Sequence, residues 1–135
     1  DTEIDYRGSD ATVHNVVNIL TDRQPSHLPR LKLDSDANLL IYFTGHGGNQ
    51  FFKFQDVEEI LSSHIRDALG QARYNAVLFM ADTCQAFTLG DKLVDTPNVT
   101  VVGSSLKDES SYAHHADNDL GLSVIERYPL RLRIW

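Results

Sequence analysis

Residues 39–48, LLIYFTGHGG, decide the fold of this chain, because an unbroken apolar run stops there at a histidine set among glycines. A short apolar and aromatic run of this kind is typical of a strand buried on both faces of a parallel sheet. Residues 76–85, AVLFMADTCQ, repeat the arrangement with a cysteine, and a third run, residues 99–103, ends at two serines. We therefore predict three parallel strands whose carboxyl ends carry His46, Cys84 and the pair Ser104 and Ser105.

Amphipathic helices separate these strands in the sequence pattern. Residues 13–20 have apolar positions at i, i+3, i+4 and i+7, with Asp10 as the expected N-cap. A second helix is predicted to open at the D-x-x-E pattern of Asp56 and to run to residue 69, after a short extended piece at residues 51–54. A last helix is predicted over residues 120–128. Alternating strands and helices indicate an α/β fold with a mostly parallel sheet covered by helices.

Composition narrows the class of protein. The chain has 135 residues and is 41% hydrophobic, which is enough for one domain with a hydrophobic core. A net charge of −7 argues against nucleic acid as a partner, because phosphate binding needs clustered basic residues. Cys84 is the only cysteine, which excludes an internal disulfide and a multi-cysteine metal site.

His46 and Cys84 are the candidate catalytic residues. In open parallel sheets the chemistry gathers beyond the carboxyl ends of the strands, where both residues are predicted to lie. A nucleophilic thiol benefits from an imidazole as base, and glycines let a backbone N–H approach a reacting carbonyl. We expect the N–H groups of Gly47 and Cys84 to stabilise the oxyanion. The alternative is an inert buried thiol beside a turn histidine.

Three motifs carry a family resemblance: YFTGHGG at residues 42–48, FQD at residues 54–56 and DTCQ at residues 82–85. Their combination resembles the catalytic subunits of the glycosylphosphatidylinositol (GPI) transamidase complex, which are legumain-like cysteine peptidases with a caspase fold. DYR at residues 5–7 and IERY at residues 125–128 also match. The resemblance implies a caspase-like, three-layer catalytic domain over residues 1–135, expected to be incomplete at both ends.

The resemblance also implies a function. It is that of a cysteine-dependent transamidase that cleaves the C-terminal signal peptide of proproteins through a thioester on Cys84. His46 would assist as acid and base, and the new carboxyl end would pass to the ethanolamine amine of a GPI lipid. No cofactor would be required for this chemistry. The enzyme would work with the other subunits of the complex at the endoplasmic reticulum membrane, with its catalytic domain in the lumen.

Two alternatives stay open at this point. A legumain-like asparaginyl endopeptidase would use the same two residues with water as the acceptor. A non-catalytic scaffold subunit would carry an inert thiol.

Further candidate sites lie outside the two motifs. The segment ESSYA at residues 109–113 resembles the legumain loop that lines the substrate pocket, which makes Ser104, Ser105 and Asp117 the substrate-binding candidates; the alternative is a solvated acidic loop. Glu3 and Asp5 alternate, so in an extended segment both carboxylates would face a candidate structural calcium ion.

Two polar residues beside the predicted strands have further possible roles. The sequence NVT at residues 98–100 is a glycosylation sequon. Asp82 either orients His46 or bonds the backbone of the turn that follows it.

Overall fold

The structure is a computed structural model that describes residues 3–119, 122–126 and 128. Its elements, in chain order, are a 3-10 helix Gly8–Asp10, α1 Val13–Leu20, β1 Asn38–Thr44, β2 Gly47–Gly48, β3 Phe51–Phe54, β4 Glu58–Leu61, α2 Ser62–Leu69, β5 Ala76–Asp82, a 3-10 helix Ala86–Gly90, β6 Val99–Gly103, β7 Ala113–Asp117 and β8 Leu122–Glu126. The architecture is α/β, as the sequence predicts.

The central sheet is formed by the three predicted strands in the order β1-β5-β6. Both pairings are parallel, and the register places Thr44 beside Asp82 at the carboxyl ends of β1 and β5. Because neighbouring parallel strands end at one edge of a sheet, the loops that follow β1, β5 and β6 emerge side by side.

One face of this sheet forms the hydrophobic core. Phe79 of β5 is fully buried, and burial of such a ring contributes about 3 kcal/mol to the free energy of unfolding. Other buried residues, from α1, α2 and the strands, belong to the same core: Leu20, Leu39, Ile65, Ala68, Leu69, Val77 and Ala81. Phe43 packs edge-on against Phe79 with ring centroids 5.4 Å apart. The two helices thus cover this face.

Helix α1 starts later than the sequence predicts. Its N-cap is Thr12, whose side chain accepts a hydrogen bond from Asn15 N at 3.1 Å. The expected cap, Asp10, ends the preceding 3-10 helix instead. A threonine hydroxyl satisfies an unpaired helical N–H as an aspartate would, so the capping chemistry is right and its position is wrong by two residues.

The opposite face of the sheet corrects the prediction of strands buried on both faces. Leu40 and Leu78 are 62% and 40% exposed, and Tyr42 and Val102 are exposed as well. An unbroken apolar run has the same sequence pattern whether one or both faces are covered, which is why the pattern alone misleads.

The first part of the helix predicted to start at Asp56 is a turn and a strand. Asp56 and its neighbour Gln55 adopt positive φ angles of 56° and 52°, which are incompatible with the first turn of a right-handed helix. They form a turn between β3 and β4, and β4 pairs with β3 in an antiparallel sheet of order β2-β3-β4. Ile60 lies opposite Phe52, and both are buried. The helix begins only at Ser62.

The predicted last helix is also wrong over residues 122–126. Residues 122–126 form β8, which pairs with β7 in antiparallel register, Ala113 opposite Glu126. Val124 and Ile125 are β-branched and favour an extended backbone, a preference that outweighs the helical spacing. Leu120 and Pro129 lie outside the described residues.

Candidate active site

The turn after β1 places His46 at the carboxyl edge of the central sheet. Gly45 adopts a φ of +147°, which residues with a Cβ rarely reach. Its N–H donates to the carbonyl of Asp82 on the neighbouring strand at 3.1 Å, and the N–H of Lys53 donates to the His46 carbonyl at 2.9 Å. The backbone around His46 is therefore bonded on two sides, while the residue itself is exposed.

Gly47 has no room for a side chain. A Cβ built there would lie 2.6 Å from Oγ1 of Thr83 and 2.7 Å from the backbone oxygen of Phe51. Since Lys53 N bonds the His46 carbonyl, antiparallel alternation turns the N–H of Gly47 away from β3. This N–H takes no part in the hydrogen bonding between β2 and β3, and it lies close to the turn that carries Cys84, as the predicted oxyanion donor must. Its role as an oxyanion donor stays a prediction.

Cys84 opens a tight turn just beyond β5. It is a free, partly exposed thiol. Gln85, the next residue, has a φ of +52°, a left-handed conformation that costs a non-glycine residue about 1–2 kcal/mol. Its N–H donates to the carbonyl of Glu109 at 2.9 Å, and its Oε1 accepts from Asp108 N at 3.2 Å. The strained backbone after the thiol is thus held by the loop that follows β6.

The sheet register brings His46 and Cys84 to one edge. Each follows its strand by two residues, and the last strand residues, Thr44 and Asp82, are paired. The two side chains therefore leave adjacent strands at equivalent positions. Over the described residues no hydrogen bond joins the Cys84 thiol to the His46 ring. The catalytic dyad remains a prediction, supported by this placement.

The serine pair after β6 lies against the cysteine turn. Ser105 is buried, and its hydroxyl donates to the carbonyl of Thr83 at 2.8 Å and accepts from Ala86 N at 3.1 Å. The Ser104 hydroxyl lies 3.3 Å from the same carbonyl. Both serines thus contact the residue that precedes Cys84. Ser104 is only partly buried, whereas Ser105 is buried, so Ser104 is the more accessible of the two for a substrate.

Asp117, the third substrate-binding candidate, lies in β7. Its Oδ1 accepts a hydrogen bond from Asp119 N at 2.9 Å, a bond within its own turn. Its substrate-binding role stays a prediction, as do those of the two serines.

Asp82 has a role that neither sequence-based reading predicted. It is 1% exposed, and its Oδ1 accepts a hydrogen bond from the hydroxyl of Ser111 at 3.0 Å. Over the described residues its Oδ2 has no partner. The carboxylate thus bonds a loop side chain and neither the His46 ring nor the backbone of its own turn. Sequence reasoning missed Ser111, because its spacing from β6 gives no signal of this contact.

Tyr128 adds a buried hydroxyl beside this carboxylate. Burial raises the pKa of Tyr128, and the nearby Tyr42 and the Asp82 carboxylate raise it further. Its hydroxyl has no hydrogen-bond partner in the described part of the chain. Asp82 therefore lies in an enclosed, weakly solvated environment at the end of β5.

The calcium site predicted at Glu3 and Asp5 is not assembled from the described residues. Both carboxylates are exposed, and the segment is not a strand, with Asp5 in a bend. Residues 3–119, 122–126 and 128 contain no group of three or more histidine, cysteine or acidic side chains that could hold a metal. Two carboxylates supply only part of the six or more oxygens that calcium prefers.

Asn98, the sequon residue, lies at the amino edge of the sheet, opposite His46 and Cys84. It is exposed, with a φ of +56°, and its carbonyl accepts a hydrogen bond from Val77 N at 2.9 Å. Its glycosylation stays a prediction.

The chain is thus an α/β protein whose parallel sheet carries an accessible thiol and an imidazole at one carboxyl edge. The sequence profile of the peptidase C13 family matches residues 1–125. The chain belongs to this family.

Three curated relatives of the chain carry the same name. The "GPI-anchor transamidase" of Saccharomyces cerevisiae is 50% identical over 133 residues, which cover 93% of this chain and 32% of that protein. The protein of the same name in Schizosaccharomyces pombe is 49% identical over 93% of this chain and 35% of its own length. The one in Homo sapiens is 42% identical over 95% and 34%. The chain thus spans about a third of the length of these relatives.

None of the helices in the described residues combines the length and the apolar character needed to cross a bilayer.

Proposed function

We propose that this chain carries the nucleophile and the acid–base group of a GPI transamidase. The observation that carries the proposal is the Thr44–Asp82 pairing, which sets His46 and Cys84 at equivalent positions on adjacent strands. The names of the relatives supply the reaction, since GPI-anchor transamidases from yeasts and from human match nearly the whole chain. We place the chain within the single catalytic domain of such an enzyme.

The first half of the reaction cleaves the proprotein. The sulfur of Cys84 attacks the carbonyl carbon of the attachment residue, and the carbon–nitrogen bond to the C-terminal signal peptide breaks. His46 takes the proton of the Cys84 thiol and delivers it to the leaving amine. A thioester between Cys84 and the new carboxyl end is the product of this half.

The second half transfers the acyl group. The ethanolamine amine of the GPI lipid attacks the thioester carbonyl, His46 removes a proton from the amine, and the thiol of Cys84 departs. Water would give a free acid by the same route, so transfer requires that the amine be positioned better than water. The chemistry uses only the thiol and the imidazole of this chain.

Backbone donors would stabilise both tetrahedral intermediates. The N–H of Gly47 points away from β3, and that of Cys84 is the second donor we propose. Ser104, Ser105 and Asp117 are the proposed substrate-binding residues, and the contacts of both serines with the Thr83 carbonyl support the inclusion of Ser104 and Ser105.

The proposed partners and location are those that the family resemblance implies. The partners are the other subunits of the transamidase complex, the C-terminal signal of the proprotein and the GPI lipid. The location is the endoplasmic reticulum membrane, with this chain in the lumen. A structural calcium ion at Glu3 and Asp5 is proposed only as a site completed by oxygens from outside the described residues, and no chemical step involves it.

The test uses the full-length protein in its assembled complex. A peptide with a small attachment residue and a C-terminal signal is incubated with hydrazine as the acceptor amine, and the cleaved product is identified by mass spectrometry. We expect a hydrazide that disappears in the Cys84→Ala variant. Free acid alone, unaffected by hydrazine, would identify a legumain-like endopeptidase, and intact peptide would indicate a non-catalytic scaffold.

The dyad has a separate test in thiol alkylation. Iodoacetamide labels Cys84 at a rate that depends on its thiolate fraction. His46→Ala is expected to slow labelling near neutral pH, whereas His27→Ala, at an exposed turn position, is the matched control. Equal rates in the two variants and the wild type would contradict the dyad.

A further inference from the structure

The loop after β6 is bonded to the end of β5 through a chain of side-chain oxygens. The hydroxyl of Ser111 donates to Oδ1 of Asp82 at 3.0 Å. The hydroxyl of Ser104 lies 3.3 Å from the Ser111 hydroxyl and 3.3 Å from the carbonyl of Thr83. This chain of contacts joins three points: the strand end, the residue before the thiol, and the loop that carries the proposed substrate-binding serines.

The burial of Asp82 makes the Ser111 contact energetically important. A buried carboxylate is costly unless it is paired or hydrogen-bonded. Asp82 is 1% exposed, Ser111 is its side-chain donor, and Oδ2 has no partner in the described part of the chain. Loss of the Ser111 hydroxyl would leave the carboxylate buried without that donor, so the loop residue at position 111 cannot move away freely.

We infer that Ser111 is a positioning residue, which acts through Asp82 to set the distance between the loop serines and Cys84. This inference rests on the proposed function. In acyl transfer the reacting carbonyl must sit within about 3–3.5 Å of the nucleophile, and a displacement of about 1 Å can cost on the order of 100-fold in rate. A loop anchored two residues before Cys84 would hold a substrate bound at Ser104 in that range.

Other bonds hold the rest of the loop without Ser111. Ser105 contacts Thr83 and Ala86, and the carbonyl of Glu109 accepts from Gln85 N. Removal of the Ser111 hydroxyl is therefore expected to release the end of the loop near residue 111 and leave the fold intact. A loss of activity in a Ser111 variant that still folds would therefore indicate a positioning role and not a purely structural one.

The test compares four forms of the full-length protein in its complex: wild type, Ser111→Ala, Ser111→Thr and Ser110→Ala. Threonine keeps the hydroxyl, and Ser110 is the exposed neighbour, which serves as the matched control. Hydrazide formation gives kcat and KM for the peptide, iodoacetamide labelling reports Cys84, and the thermal unfolding midpoint reports the fold.

We expect Ser111→Ala to lower kcat/KM about tenfold, as for a displacement of the reacting carbonyl by less than about 1 Å. Cys84 labelling should stay close to wild type, whereas the unfolding midpoint should fall because Asp82 is left buried without this donor. Ser111→Thr should recover most of the activity and of the unfolding midpoint. Ser110→Ala should behave as wild type. In an Asp82→Asn background, the further loss on Ser111→Ala should be smaller than in the wild type, because the two residues act as one unit.

The inference is overturned if Ser111→Ala keeps full activity, if Ser110→Ala loses as much, or if threonine does not restore activity. It is also overturned if Leu39→Ala, a core variant at the opposite end of β1 that lowers the unfolding midpoint at least as much, loses as much activity. Failure of the proposed function is distinguishable, because in that case the wild type itself forms no Cys84-dependent hydrazide.

Discussion

The N–H of Gly45 donates to the carbonyl of Asp82 across 3.1 Å, and this bond joins the histidine turn directly to the strand that leads into Cys84. It continues the hydrogen bonding of the parallel sheet by one residue beyond Thr44. The two loops that carry the proposed chemistry are therefore extensions of one sheet edge. Their relative position depends on strand pairing more than on contacts between the two side chains.

Gly47→Ala should impair both folding and activity. The new Cβ would lie 2.6 Å from Thr83 Oγ1 and 2.7 Å from the Phe51 carbonyl oxygen, and the latter is backbone that cannot retreat easily. We expect a loss of about 1–3 kcal/mol in the free energy of unfolding and of about 100-fold in kcat, because the oxyanion donor moves. Urea unfolding and the hydrazide assay measure the two effects.

Gly70→Ala is the matched control for Gly47. Gly70 has an ordinary right-handed φ of −64°, and the nearest atom to its new Cβ is the Arg66 carbonyl oxygen at 3.3 Å. An equal loss of activity in both variants would show that any added methyl group is harmful and that Gly47 has no special position.

Thr83→Val should leave the free energy of unfolding unchanged or raise it. Thr83 is 1% exposed, and its Oγ1 has no hydrogen-bond partner in the described residues. A buried hydroxyl without a partner costs free energy, and a methyl group of similar shape removes that cost. Thr83→Ala is the comparison, expected to lose stability because it opens a cavity. A valine variant as unstable as the alanine variant would reveal a partner for the hydroxyl.

The two faces of the central sheet should respond differently to truncation. Leu39 is 8% exposed and lies in the core, whereas its neighbour Leu40 is 62% exposed. For the 135-residue chain we expect Leu39→Ala to cost about 2–5 kcal/mol and Leu40→Ala less than about 1 kcal/mol, measured by urea unfolding. Similar costs would mean that the exposed face is covered in solution.

Tyr74 should make stability fall at alkaline pH. Burial raises the pKa of Tyr74, and its hydroxyl donates to the Pro97 carbonyl at 3.3 Å. Below pH of about 10 both folded and unfolded states keep the proton, so this residue adds no pH dependence. Above it the unfolded state loses the proton first, and the free energy of unfolding falls until the pH passes the raised pKa of the folded state.

Urea unfolding of Tyr74→Phe between pH 9 and 11 tests this expectation. The variant should show a shallower alkaline decline than wild type. Tyr112→Phe, at a 69% exposed position, is the control and should follow the wild-type curve. A Tyr74→Phe curve parallel to wild type would contradict this role of the Tyr74 hydroxyl.

The strands and the site edge were predictable from sequence because they depend on local runs. The apolar segments ending at His46 and Cys84 form β1 and β5, and their register brings the two residues to equivalent positions, as the strand pattern predicts. Membership of the peptidase C13 family confirms the resemblance carried by the TGHGG and DTCQ motifs.

The features that sequence reasoning missed depend on backbone angles and long-range contacts. The positive φ at Asp56 turns a helical pattern into a turn, and the strand that follows buries Ile60 against Phe52. The bond between Ser111 and Asp82 joins residues 29 positions apart, and no periodicity predicts it. The exposure of Leu40 depends on what covers a sheet face, which apolar content alone does not determine.

The parallel register of β1 and β5 sets the relative position of the two reacting groups. Side chains alternate between faces along a strand, so a slip of one residue between the strands would send His46 and Cys84 to opposite faces of the sheet. Seven paired positions, from Asn38 beside Ala76 to Thr44 beside Asp82, resist such a slip. An insertion or deletion of one residue within either strand would therefore separate the thiol from the imidazole while leaving every residue of the two motifs in place.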